Sequence, residues 1–166
     1  MNLRKRQVLD KPSLKPFKFP DGFILISDTR EQRPLFSRPP KGLIVTTDTL
    51  SAGDYSIKGF ESKFCIERKG ISDFYAYIGK DRDKTIRKME TFSAMSWVGL
   101  VIETTELDLL AGYMMSRVPP EVARQALVSF EVRYGVHVYY SKSRDDISRW
   151  VLDRAIKFFR VMREAK

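Results

Sequence analysis

Apolar and polar positions alternate along this chain with two different periods, and the switches between them mark its elements. Phe23-Ile24-Leu25-Ile26 is a continuous apolar run of strand formers, the pattern of a strand covered on both faces. Residues 28 to 42 carry Pro34, Pro39, Pro40 and Gly42 and read as a loop. Leu43-Ile44-Val45-Thr46-Thr47 is a second strand. Gly53 turns the chain into a third, Tyr55-Ser56-Ile57, and after Gly59 the run Lys63-Phe64-Cys65-Ile66-Glu67-Arg68 returns as a fourth. Two strands divided by a glycine turn predict a hairpin.

Beyond the hairpin the period lengthens. Ile71 to Ile78 reads as a helix with Ser72 and Asp73 in its first turn, and a longer helix is expected from about Lys84 to Ser96. Val98-Gly99-Leu100-Val101-Ile102, opened by Trp97, returns to strand. Pro120 suits the first turn of a helix running to about Tyr134, which Gly135 ends. Val136 to Tyr140 is the last strand, and Ser143 with Asp146 three residues on starts the last helix. These elements predict an α/β fold, a mixed central sheet flanked by helices. No repeat or linker divides residues 21–166, so they read as one domain.

The last helix carries Ile147, Trp150, Val151, Ala155, Phe158, Phe159 and Met162, a stripe wider than a solvated helix needs. With Val122, Ala126, Leu127 and Phe130 on the helix before, this surplus predicts an exposed apolar patch and a homodimer, twofold pairing being the commonest closed symmetry.

Composition narrows the class. The chain has 166 residues, enough for one buried core, and one cysteine, Cys65, placed in an apolar strand where a small core residue is expected. A single cysteine and the lack of a secretory leader point to a reducing setting, cytoplasmic in a prokaryote or virus-infected cell or nuclear in a eukaryote, and not to secretion. No apolar run is long enough to span a bilayer, and a lone histidine, His137, excludes a histidine-rich zinc site. The net charge of +9 favours a polyanionic partner, since neutralising phosphates releases counterions. Residues 1–20 concentrate that charge, with Arg4, Lys5, Arg6, Lys11, Lys15 and Lys18 against Asp10. Pro12, Pro16 and Pro20 bar a regular helix there, so an extended, flexible basic arm is expected.

The hairpin is where chemistry concentrates. Hydrolysis of a phosphodiester needs charge neutralisation on the phosphate and an activated water, and Mg2+ or Mn2+ held by carboxylates supplies both. Asp54 opens the hairpin and Glu67 lies near the end of its return strand, so the two carboxylates are expected side by side. Glu67 and Lys69, two apart on an extended chain, share a face; Arg68 points the other way, and its backbone carbonyl is a further candidate metal ligand.

The wording around these residues reads DTRE at Asp28–Glu31, GDY at Gly53–Tyr55 and ERKGISD at Glu67–Asp73. It resembles the nuclease domain of the XPF-type (XPF/Mus-like) structure-specific endonucleases, within the restriction-endonuclease-like superfamily, over about residues 23 to 140. The resemblance implies Asp54 and Glu67 as metal ligands, Asp28 as a further acidic ligand, and Lys69 as the group that positions or activates the attacking water. Arg30, Glu31, Arg68, Asp73 and Arg82 would orient the site or grip phosphates. It also implies pairing of nuclease domains.

The resemblance stops short in one respect. That family usually carries a tandem helix-hairpin-helix domain after the nuclease, and none fits before Lys166, so a stand-alone form is expected. The implied activity is divalent-metal-dependent cleavage of DNA, duplex or branched, with flaps and branches as candidate preferences and repair or recombination as the setting. The alternative is a catalytically inactive DNA-binding or scaffold subunit. RNA stays open as a substrate, because metal chemistry does not read the 2′-hydroxyl unless something binds it.

Overall fold

The computed structural model describes residues 15–165. Six strands form one sheet: β1 (Ile24–Asp28), β2 (Ile44–Asp48), β3 (Tyr55–Ile57), β4 (Phe64–Gly70), β5 (Trp97–Glu103) and β6 (Val136–Tyr140), in the order β2-β1-β3-β4-β5-β6. β3 alone is antiparallel to its neighbours; β1–β2, β4–β5 and β5–β6 pair parallel. The carboxyl ends of β1, β4 and β5 therefore meet the amino end of β3 at one edge of the sheet. This is the mixed sheet the periodicity predicts.

The helices are α1 (Ile71–Ile78), α2 (Arg82–Ser93), α3 (Glu106–Leu110), α4 (Pro120–Tyr134) and α5 (Arg144–Glu164). The strict alternation of strand side chains sorts them into two layers. Phe64, Ile66 and Val101 face α5, packing on Trp150, Val151, Ala155 and Phe159. Cys65, Val98, Leu100 and Ile102 face the opposite layer, on Phe74, Met89, Ala123 and Leu127. Cys65 is fully buried, as expected of a core thiol. Local signals act where the sequence places them: Ser143 accepts the Asp146 N–H at 3.2 Å to start α5, and Gly135 ends α4 with φ of 67°. α3 is an element the hydrophobic pattern does not reveal. Its five residues are too few to show a period, and its cap is Thr105, which accepts from Asp108 N at 3.1 Å.

Two expectations change. The α5 stripe is used inside the molecule: Trp150, Val151 and Phe159 are buried, and Phe158 meets Phe60 edge-to-face and Phe64 at a tilt, with ring centroids 5.8 and 5.0 Å apart. Leu127 and Phe130 are buried as well. Most of the apolar surplus of α5 is thus absorbed by the chain's own sheet, whereas Val122 on α4 stays 42% exposed. The basic arm also ends earlier than residue 20. Phe17 and Phe19 pack on the α5 core, Arg149 lies 4.6 Å over the Phe17 ring, and Arg160 donates to the Lys18 carbonyl at 3.0 Å. Arg4, Lys5, Arg6 and Lys11 lie outside the described residues.

One close approach fixes how α5 sits. A Cβ at Gly99 would come within 2.7 Å of the Trp150 ring and 2.9 Å of Trp97. Glycine at the middle of β5 lets both indoles lie over the strand. Gly99→Ala is expected to lower the melting temperature by several degrees, through a clash costing about 1–3 kcal/mol. Thermal unfolding followed by circular dichroism checks this, and an unchanged transition would show that α5 tolerates displacement.

Candidate active site

The site grows from the turn into β3. Gly53 adopts φ of 78°, and a Cβ there would lie 2.9 Å from Cys65 Cβ and 3.2 Å from the Ile66 carbonyl oxygen. Only glycine meets both demands. The close approach lets Asp54 N–H donate to the Ile66 carbonyl at 2.8 Å, and it brings the Asp54 carboxylate to the Arg68 N–H at 2.7 Å. Asp54 thus lies beside Glu67 at the hairpin mouth, as its spacing predicts.

Glu67 is the buried centre of the group. Only 1% of its surface is exposed, and two ammonium groups hold it. Lys69 Nζ lies 2.7 Å from one carboxylate oxygen, and Lys88 Nζ donates to both oxygens at 2.7 Å. Burial works against the Glu67 charge, but Lys88 and then Lys69 outweigh it and hold the carboxyl below the usual glutamate range. Both ammonium groups also lie against the Tyr77 ring, 5.1 Å from its centroid for Lys69 and 5.9 Å for Lys88. Asp54 experiences the reverse balance. Burial, followed by the nearby Glu67 charge, pushes its carboxyl up to about 6. Only one of its oxygens accepts a hydrogen bond among the described residues.

The remaining expected residues divide. Asp28 ends β1 and is buried, but its carboxylate is committed. It accepts from Arg30 Nε at 2.7 Å, from the other Arg30 guanidinium nitrogen at 2.9 Å, and from the backbone N–H groups of Arg30 and Leu50. The Arg30 contact lowers its carboxyl to about 2. Arg30 itself keeps 66% of its side chain exposed and feels the charges of Asp54 and Glu67. Arg68 points away from Glu67, as alternation requires, and is 7% exposed. It binds Glu31 at 2.8 Å, Glu103 at 2.7 Å and the Arg33 carbonyl at 2.7 Å, so it brackets β4 to β5 and the loop after β1. Glu31 serves that bracket. Asp73 is exposed in the first turn of α1, and Arg82 is exposed at the start of α2, lining a cleft against α4.

The α2 cation that reaches the carboxylates is Lys88, which the motif did not single out. Its signal is a lysine on the helix's inward stripe, three residues after Thr85 and four before Phe92, both buried. Glu103 is a second missed residue, a carboxylate at the end of a central parallel strand. Among the described residues no three carboxylate, imidazole or thiol groups come together as a metal-holding cluster. The donor side chains expected from sequence reduce to two, Asp54 and Glu67. Asp54 fits a hard divalent cation, because it carries an unfavourable charge that a cation would relieve, whereas both Glu67 oxygens are held by Lys88 and one also by Lys69, so a cation at Glu67 would displace an ammonium group.

The ERCC4 domain family matches residues 27–153, and the chain belongs to that family. Its fold is the restriction-endonuclease-like fold of XPF from Aeropyrum pernix. One structure of that protein superposes with a TM-score of 0.63 at 19% identity, over 80% of this chain and 59% of the other. A second, XPF from Aeropyrum pernix in complex with DNA, gives 0.61 at 18% identity, over 82% of this chain and 64% of the other. The chain thus spans about three fifths of the archaeal protein. No curated protein matches. The domain is an XPF-type nuclease domain, and the GDY and ERKGISD segments that carried the resemblance lie within the matched residues.

Proposed function

We propose that the chain is a divalent-metal-dependent endonuclease that hydrolyses DNA phosphodiester bonds at Asp54, Glu67 and Lys69. The convergence of these three at the hairpin mouth, in a member of the ERCC4 domain family, carries the reading. The DNA bound by the similar archaeal XPF supports the polymer class. Magnesium or manganese, when bound, neutralises the phosphate and acidifies a water. Asp54, through the oxygen that accepts no hydrogen bond among the described residues, and Glu67 are the side chains that would hold it. Lys69 stays charged: burial works against its ammonium, but Glu67 outweighs that and raises it above the usual lysine range. Its role is therefore to orient water and stabilise developing negative charge, not to accept a proton at neutral pH. Arg30, exposed beside the carboxylates, grips a backbone phosphate, while Arg68 holds the scaffold. Branched or flap DNA is the substrate we would test first.

A second reading, a catalytically inactive DNA-binding subunit, draws support from Asp28, whose commitment to Arg30 leaves the site with two carboxylates. Incubation with linear, forked, flapped and single-stranded DNA in magnesium, manganese or EDTA separates the two. Metal-dependent products support the enzyme, whereas binding without products under every condition supports the inactive subunit.

We also place the partner of a homodimer on the α3–α4 side. There Leu107, Met114, Met115 and Val132 are 79%, 98%, 83% and 80% exposed. Light scattering at micromolar concentration is expected to give about twice the 19.3 kDa chain mass; a value near the chain mass contradicts pairing.

A further inference from the structure

A ladder of rings crosses the sheet at the end away from the carboxylates. Phe64 on β4 stacks on Trp97 at the start of β5, centroids 5.0 Å apart and planes 12° apart, and Trp97 stacks on His137 of β6 with the same distance and angle. Since β6 is the last strand of the sheet and His137 is exposed, the ladder ends on solvent. A buried aromatic pair needs no such continuation outward. Beside it, Trp150 stacks on Tyr139, and the Arg154 guanidinium lies 4.5 Å over the Trp150 ring.

Two clefts open on this side of α5 and share Asp153 and Lys157. One, about 400 Å³, is walled largely by apolar atoms of Trp97, Phe158 and Val161, with Arg154 and Lys157 at its rim. The other, about 550 Å³, is walled by Phe17 and Ile156 as well as by Lys15, Lys18, Lys157 and Arg160. The surface therefore passes from flat, partly exposed rings to a basic groove, with Asp153 the acid between them. Rings that accept a π-face next to ammonium and guanidinium groups that accept phosphates are the two requirements of single-stranded nucleic acid. A strand with unstacked bases satisfies both halves at once.

We propose that His137, Trp97, Arg154 and Lys157 form a docking site for an unpaired nucleic-acid strand, with a base continuing the ladder on His137 and phosphates following Lys157 toward Arg160 and Lys15. The proposal rests on the DNA-cutting reading for its biological sense. It places the unpaired strand on the α5 face, where the ladder starts at Phe64, three residues before Glu67 and so about 10 Å away along β4 at roughly 3.3 Å per residue, whereas Glu67, which shares the parity of Cys65, faces the other layer. A substrate with a single-stranded branch would then hold the duplex on one face of the sheet and its loose strand on the other.

The test uses the chain's own fluorescence, because of its two tryptophans Trp97 stands in the ladder and Trp150 lies buried against it, ring centroids 5.7 Å apart. Titration of the full chain with an oligothymidine strand in EDTA is expected to quench emission saturably. His137→Ala and Lys157→Glu, both at exposed positions, should each weaken that binding about ten-fold, the scale of one lost stacking or phosphate contact. Neither should change cleavage of linear duplex, and Lys157→Glu should also leave the melting temperature unchanged. Absent quenching, or wild-type strand affinity in both variants, overturns the proposal. A change of molecular mass in either variant would overturn it too, by making the surface a contact between copies. Quenching without any nuclease activity would leave this site standing and remove the DNA-cutting reading alone.

Discussion

Asp54→Asn and Glu67→Gln are expected to shift the melting temperature of the metal-free chain in opposite directions at pH 7.5, although both abolish cleavage. Asp54 is raised to about 6 by burial and by the Glu67 charge, so its ionised form is disfavoured in the folded chain. A carboxyl raised in this way contributes stability that is full below its unfolded value near 4 and is lost as the pH climbs through 6. Asparagine keeps the shape without the charge and restores on the order of 3 kcal/mol above pH 6, at about 1.4 kcal/mol per unit over about two units. Glu67 is lowered, because Lys88 and Lys69 overcome its burial, so its contribution is present above its unfolded value and disappears only in acid. Glutamine removes the charge that separates two ammonium groups, and the variant is expected to melt several degrees lower. Differential scanning calorimetry in EDTA at pH 5 and pH 7.5 measures both. Equal shifts of one sign would show that the two carboxylates do not share an environment of mutual repulsion.

Lys88→Met is expected to destabilise the metal-free chain by about 3 kcal/mol, the scale of a broken buried ion pair. Lys88 donates to both oxygens of Glu67 and is 32% exposed, whereas Glu67 is 1% exposed, so methionine leaves a buried carboxylate with Lys69 as its remaining partner. A divalent cation supplies the missing charge. Magnesium should therefore raise the melting temperature of the variant by more than it raises that of the wild type, because ligand binding to the folded state stabilises it. Thermal shift over a magnesium series reads this difference. An equal magnesium response in both chains would mean that Lys88 and the cation do not compete for Glu67.

The parts of this molecule governed by period and by turn chemistry were legible in the sequence. The strands around Leu25, Val45, Ile66, Leu100 and Val138 follow from runs of strand formers, and the end of α4 from Gly135. The hairpin geometry of Asp54 and Glu67 follows from Gly53 and from alternation alone. What was not legible depends on which partner a polar side chain meets. Asp28 sits where a ligand was expected, yet Arg30 two residues on reaches both its oxygens, a contact that sequence spacing permits but does not require. Lys88 lies twenty-one residues from Glu67 and meets it only through the packing of α2 on the sheet. The aromatic stripe of α5 looked excessive because the depth of its groove, set by Gly99 and by the rings of Phe60, Phe64 and Trp97, is a property of the assembled sheet. Phe17 and Phe19 were masked by the lysines and prolines around them.

The central claim is that Asp54 and Glu67 hold a divalent cation that cuts DNA. A flap substrate labelled at one end, incubated with the wild-type chain and with Glu67→Gln purified in parallel, tests it most directly. The account predicts discrete products with the wild type in magnesium or manganese, none in EDTA, and none with the variant under any condition. Products that persist in EDTA, or that the variant yields at the wild-type rate, would contradict it.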